Sequence, residues 1–300
     1  MAVRLATAEL AQRDQARDRR SALNAVWLWS SGIAVCGLIV AIVLAILIKG
    51  LPAMSWEFLA SRPTEGMTGG GIWPMIRGSL LLLVGTGLIV VPTAVLGGIF
   101  LAEYSKDNLL TRSVRSCVVA LAGTPSIVYG LFGFAVFVLS MKMGFSLMAG
   151  WLTLALYSLP IIVLTTENAL RAVPPALGES GLSLGLSKWQ TIRRIALPYA
   201  APGIMTGIVM TTGRAAGEAP PILLTAGLYY STADLKLNLD TLSQPVANLP
   251  YHLAEGYRQG GVIPENNIWG TCLTLMLLVL LVNLTAIVVR NRARRSQELH

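Results

Sequence analysis

Charge is what this sequence has least of. Only 13% of its 300 residues are Asp, Glu, Lys or Arg, about half the share found in soluble domains. Hydrophobic residues make up 54%, so the chain has too few polar groups to cover its own surface in water. Histidine is nearly absent, with His252 and His300 alone. That excludes a His-rich metal site and a Ser-His-Asp arrangement within a membrane. The three cysteines, Cys36, Cys117 and Cys272, all fall in apolar stretches, which supports neither a disulfide framework nor a zinc cluster. A Walker A pattern is missing as well. The run Thr68-Gly69-Gly70-Gly71 lacks the Lys and Ser/Thr that complete a phosphate-binding loop, and reads as a flexible loop. If ATP drives this protein, another chain must bind it.

What the sequence has in abundance is long apolar runs. A helix needs about 20 such residues to cross the hydrocarbon core. Val26 to Ile48, Gly78 to Ala102, Ser116 to Met141, Met143 to Thr166 and Asn266 to Val289 carry no charge. A sixth stretch, from about Ile195 to Ala233, is interrupted only by Arg214 and Glu218. None alternates with the two-residue period of a barrel strand. In lipid the backbone must satisfy itself, so each run is expected to be a helix. The expected fold is all-α, a polytopic membrane protein with six transmembrane helices. It comprises a tail at 1–25, one transmembrane domain at 26–290 and a tail at 291–300.

The basic residues orient the bundle. Segments 1–25, 103–115, 167–194 and 290–300 carry five, three, four and four Lys or Arg, against six on the opposite side. The positive-inside rule then places both termini in the cytoplasm. The net charge of +8 is mostly this orientation signal plus a weak attraction to anionic lipid, and nucleic-acid binding is the poor interpretation. The first run is longer than a signal-peptide core and no small-x-small cleavage site comes after it before Lys49, so it reads as a retained anchor. Arg17, Arg19 and Arg20 would sit at the lipid surface. Trp27, Trp29, Trp73, Trp151 and Trp269 read as interface anchors. Gly85, Gly87, Gly97 and Gly98 permit close helix contact. Glu103 and Glu167 fall at the cytoplasmic boundary, where solvation or capping accounts for them. The outer segment from about Tyr229 to Glu265 is too long for a bare turn. Leu253, Tyr257 and the Pro250-Tyr251 step suggest a short helix on the membrane face, as a loop anchor or a docking surface for an external partner.

The cytoplasmic segment 167–198 says most. Pro174 and Pro175 suit the first turn of a helix that runs to about Leu184. Gly185 takes a positive φ and ends it. Ser187 and Gln190 have capping-box spacing, so a second helix begins there. Trp189, Ile192 and Ile195 fall on one face. A solvated loop has no reason to collect Leu182, Leu184, Leu186 and Trp189. Such a knob implies a groove on a separate cytoplasmic partner.

Glu179-Ser180-Gly181, then Gly185, then Ile195, Leu197 and Pro198 resemble the EAA motif of bacterial ABC-importer permeases, with all spacings kept and Ser180 and Gly181 in place of the two alanines. The resemblance implies that Glu179, Ser180, Gly181, Leu182, Leu184, Gly185, Leu186 and Trp189 form a coupling helix seated in an ATP-binding subunit. Gly123-Thr-Pro-Ser-Ile-Val-Tyr-Gly-Leu-Phe132 and Gly213-Arg-Ala-Ala-Gly-Glu-Ala-Pro-Pro221 resemble segments of phosphate-importer permeases, and the Ala-Pro-Pro ending favours the PstA-type branch. The likeness implies a half-channel for ATP-driven phosphate import by alternating access. Its partners would be a PstC-like second permease, two ATP-binding subunits and an external phosphate-binding protein. ATP and Mg would bind the partner ATPase, with no cofactor and no catalytic residue on this chain, in a bacterial inner membrane.

Arg214 and Glu218, four residues apart, lie on one face of the fifth crossing, taken as Tyr199 to Leu228. A lone charge at mid-membrane costs about 3 kcal/mol on insertion scales, and pairing offsets part of it. The pair is either a packing clamp or part of the anion path, where a planar guanidinium suits phosphate oxygens and Glu218 accepts from a P–OH. Pro220 and Pro221 break the helix beside it, and such breaks recur at transport sites. Pro125 breaks the third crossing similarly, with Thr124 and Ser126 offering hydroxyls. Alternatives are a permease for sulfate, molybdate or phosphonate, a membrane scaffold without transport, and a membrane enzyme, the last disfavoured because Glu218 is the one clearly intramembrane acid.

Overall fold

The computed structural model describes residues 2–64, 69–228, 239–258 and 263–298. The side chains of Arg17, Arg19 and Arg20, the residues Thr68, Tyr229 and Lys236, and the side chains from residue 292 onward lie outside the described set. The chain is helical almost throughout, as its unbroken apolar runs require. Helix α1 spans Ala2–Gly50, α2 Trp56–Ala60 and α3 Trp73–Ile99, the last continuing as a π-wound turn over Phe100–Tyr104. Then come α4 Leu109–Ala122, α5 Ser126–Gly133 with a π-wound extension to Ser140, and α6 Leu147–Arg171. Helices α7 Pro175–Ser183 and α8 Lys188–Thr191 precede α9 Leu197–Ala216. The chain closes with α10 Pro220–Leu223, α11 Leu249–Arg258 and α12 Glu265–Glu298.

The core is a bundle of α3, α6 and α9, with α12 against α9 and α1 against α12. Small residues set the spacing. A Cβ at Gly85 would meet the Trp151 ring at 1.9 Å, one at Gly98 would meet Thr166 Cβ at 2.5 Å, and one at Gly207 would meet Thr165 Oγ1 at 2.0 Å. With lipid outside as apolar as the core, such close backbone approach is what holds membrane helices together. Gly87 faces open space instead. Trp151 is a packing residue rather than an interface anchor, because its Nε1–H donates to Leu81 O at 2.9 Å within the bundle. Trp27 and Trp29 stay exposed on α1.

Two expected crossings are not continuous. The third bends by 104° between α4 and Ser126–Ser140. Its two ends nevertheless lie at opposite ends of the bundle. Arg115 on α4 reaches Leu101 O and Glu167. Beyond α5, Ser146 N–H donates to Thr225 O and Leu147 N–H to Gln244 O. The pair is therefore one broken span, and with the five other candidate spans it makes six. The fifth crossing stops at Ala216 rather than running to Leu228. The proline pair restarts a short α10, and Gly227–Leu228 then forms a parallel strand pair with Val246–Ala247.

The described residues between α1 and α3 carry regular structure. Ser55 caps α2 through Phe58 N–H, and Pro63–Thr64 pairs antiparallel with Gly69–Gly70. The expected short helix on the membrane face is α11, with Tyr257 81% exposed.

Candidate functional site

Two proline breaks meet near the middle of the bundle. Leu121 O would accept from residue 125 in a continuous helix, but Pro125 has no N–H to give. Two other donors serve it instead, the Thr124 N–H at 3.0 Å and the Tyr129 hydroxyl at 2.7 Å. In lipid a bare carbonyl is expensive; the turn at Thr124 satisfies this one locally, and the phenol adds a tie from α5 back across the bend to α4. Helix α5 then lies against the second break. A Cβ at Gly130 would meet Pro220 O at 2.8 Å and Pro221 Cα at 3.1 Å, so glycine is required for the two breaks to touch.

Tyr129 packs edge-on to Tyr157 of α6, with ring centroids 5.5 Å apart. Tyr157 is 3% exposed and stands ten residues into α6, about 15 Å from its start. It brings the two charges together. Its hydroxyl donates to Glu218 Oε1, and the Arg214 guanidinium lies 5.3 Å from its ring centroid. Direct contact between the charges is looser, at 3.8 Å from Arg214 Nε to Glu218 Oε1. Glu218 lies beyond the end of α9 at Ala216, so the pair does not share a regular helical face.

Burial separates their roles. The Glu218 side chain is 16% exposed and that of Arg214 is 52% exposed. The carboxylate is tied inward by the phenol. The guanidinium rests one face on an aromatic ring, worth about 0.5–2 kcal/mol, and remains half exposed. A fork of N–H groups offered this way at mid-depth suits a tetrahedral oxyanion. Thr124 and Ser126 sit at the α4–α5 bend, and the Thr124 hydroxyl donates to Ala120 O at 3.0 Å. Among the described residues neither hydroxyl bonds to Arg214 or Glu218. They belong to the break, three and five residues from Tyr129, rather than to the charged cluster. Tyr157 gave no signal in sequence, since a Tyr in an apolar run reads as core or interface.

At the basic end, the elbow has the expected local structure. Pro174 and Pro175 open α7, and Leu184 terminates it. Gly185 follows at φ +79°, in the left-handed region glycine favours. Ser187 and Gln190 form a complete capping box. Gly181 is buried, and a Cβ there would meet Ile195 Cδ1 at 2.8 Å and Thr191 Cγ2 at 2.9 Å. The departure from the two-alanine pattern thus lets α7 lie closer to α8. Glu179 and Ser180 are exposed on α7 and Leu186 is half-buried. Leu182, Leu184 and Trp189 project, with Leu184 80% exposed.

One acid at this end departs from expectation. Glu167 is not solvated; it is 4% exposed and bonded by Arg115 Nε at 2.6 Å and Arg171 Nε at 3.0 Å. The backbone carbonyl of Glu103 accepts from Lys188 Nζ. In the α3–α4 turn the Arg112 guanidinium, 2.9 Å away, holds the Asp107 carboxyl below its usual range.

Known proteins share both the sequence and this architecture. Residues 94–297 match the family described as binding-protein-dependent transport system inner membrane component. A probable ABC transporter permease protein, YqgI of Bacillus subtilis, is 34% identical over 271 residues, 84% of this chain and 90% of that protein. The phosphate transport system permease protein PstA of Yersinia pestis is 36% identical over 244 residues, 80% of each. In fold, the chain resembles one from a bacterial alginate ABC transporter solved with an alginate pentasaccharide-bound periplasmic protein. The TM-score is 0.65 at 16% identity, covering 89% of this chain and 93% of that one. A chain of the inward-facing MetNI methionine ABC transporter aligns with a TM-score of 0.56 at 19% identity, covering 74% and 94%.

Proposed function

The chain belongs to the binding-protein-dependent transport system inner membrane component family of ABC importers, and from that membership we propose that it forms half of the pathway for ATP-driven phosphate import. The observation that carries this is the Arg214 guanidinium, half exposed at a broken membrane helix while its counter-charge is tied to Tyr157. The names of relatives that cover most of the chain support phosphate as the substrate.

The complex is completed by a second, PstC-like permease, two ATP-binding subunits and an external phosphate-binding protein. ATP and Mg sit on the ATPase chains, and the permease contributes no catalytic group. Both termini face the cytoplasm, as does the elbow at 175–191. Closure of the ATPase pair on ATP moves the elbow through Leu182, Leu184 and Trp189, and the broken crossings reorient. Phosphate released by the external protein passes the fork of Arg214, while Glu218 accepts from the P–OH of the monovalent ion.

The test is phosphate uptake by vesicles holding the full set of subunits. Arg214→Gln removes the charged donor and keeps an amide of similar length. Uptake is expected to fall about ten- to hundredfold, the worth of a hydrogen bond to a charged group, with the complex still assembled. Loss of assembly instead would make the pair a packing clamp. Uptake of sulfate or molybdate at the phosphate rate, with the matching binding proteins, would assign another oxyanion.

A further inference from the structure

Glu167 lies at the meeting point of three helices and does nothing in the pathway at Arg214. Its Oε1 accepts from Arg115 of α4 at 2.6 Å and from Arg171 of its own α6 at 3.0 Å. Arg115 is also forked onto α3, its Nη2 donating to Leu101 O at 2.9 Å and Ser105 Oγ at 3.3 Å. The same end of α3 receives the elbow. Lys188 of α8 donates to Glu103 O, and its ammonium stands 4.9 Å from the Tyr104 ring centroid.

The partners differ in freedom. Helices α3 and α6 are locked beside this point, because Gly98 leaves no room for even a methyl group against Thr166. Helix α4 is loosely held. Thr111 is its one buried residue, and Val118 packs at the edge of the α3–α6 core. Arg115 is therefore the polar strap by which α4 follows the rest. Farther along α4, in its last turn, the Leu121 carbonyl accepts from Tyr129, and Tyr129 abuts the Tyr157 that organises Arg214 and Glu218.

We propose that Arg115, seated on Glu167, is the positioning residue that transmits elbow movement to α4 and through its bend to the anion site. This rests on the phosphate-import proposal for the meaning of the site, but not for the strap itself. Arg171 is the internal control. It binds the same carboxylate from the same helix and so links no second element.

The experiment uses the full complex in vesicles and reads phosphate moved per ATP hydrolysed. Arg115→Lys keeps the charge but cannot reach Glu167 and Leu101 O together. It is expected to lower the ratio at least tenfold while ATP hydrolysis persists. Arg171→Lys is expected to leave the ratio within twofold of wild type. Glu167→Asp keeps a carboxylate at the boundary but shortens its reach, and is expected to behave like Arg115→Lys. If Arg115→Lys does not assemble, Glu167→Asp decides. A wild-type ratio in the assembled Arg115→Lys or Glu167→Asp complex, or an equal fall in Arg171→Lys, overturns the proposal.

Cys117, exposed on α4, supplies a second readout, with Cys36 and Cys272 replaced by Ser. Its maleimide reactivity is expected to change on ATP addition in the wild type and not in Arg115→Lys. If wild-type vesicles hydrolyse ATP without moving phosphate, the substrate assignment falls and this reactivity alone tests the strap. Equal ATP-driven changes in both proteins would remove it.

Discussion

Tyr157 shows how one neutral side chain can sort two charges into different roles. Its hydroxyl restrains Glu218 and its ring carries Arg214, so the acid is held and the base is presented. Tyr157→Phe separates these functions. The ring stays beneath the guanidinium, and the carboxylate loses its phenolic donor. Uptake is expected to drop about tenfold or more, since a hydrogen bond to a charged group contributes about 1.5–3 kcal/mol, with protein yield unchanged. Tyr157→Leu removes both contacts and is expected to drop it further; equal rates for the two variants would show that the ring does not matter. Residue roles were the least legible level of the sequence. Arg214 and Glu218 stood out because charge is conspicuous in an apolar run. Tyr157 lies 61 residues from its partner Glu218, and Arg115 lies 52 from Glu167. Pairings at such separation come from tertiary packing, and no local spacing encodes them. For that reason Glu167 reads as solvated in sequence and is buried in the fold.

At the scale of the element, breaks and caps were written plainly. The prolines at 125, 220 and 221 interrupt helices where missing amides demand it. The elbow's glycine and capping box appear where the sequence places them. What local chemistry could not give was the consequence of a break, namely a 104° change of direction and a fifth crossing whose main helix stops at Ala216. Those depend on Gly130 admitting the Pro220 carbonyl. Gly185→Val tests the elbow. Open space surrounds this position, so the cost comes from the backbone at φ +79°, about 1–3 kcal/mol for a β-branched residue. The turn is expected to reshape, and uptake to fail, while the isolated permease melts within a few degrees of wild type. Gly181→Ala has the opposite character. Its methyl would press on Ile195 and Thr191, and a loss of about 1 kcal/mol in stability is expected in a thermal melt.

The whole molecule is a bundle with one face finished and another waiting. Its helical class and its six crossings were legible because a bilayer allows so few backbone solutions. The partnerships were legible only as unsatisfied surface. Leu184, 80% exposed at the turn of the elbow, has little side-chain packing to lose among the described residues. Leu184→Asp should therefore change the permease's own stability by less than about 0.5 kcal/mol. Docked in an apolar groove, the same change buries an unpaired charge and is expected to weaken capture of the ATPase by at least about thirtyfold, roughly 2 kcal/mol. Co-purification of the two subunits at increasing dilution measures it. Undiminished capture would place the contact elsewhere on the elbow.

The tyrosine that closes the gap above Pro125 gives the third crossing a property the straight helices lack. Because its ladder is already interrupted at Pro125, the tie that runs from one half to the other is a side-chain bond, and swinging the upper half asks one phenol to let go of a carbonyl that the Thr124 turn still satisfies. The crossing is a knee with a latch. A catch that so light a chemical touch can open is also one that a Phe at 129 would leave permanently unfastened.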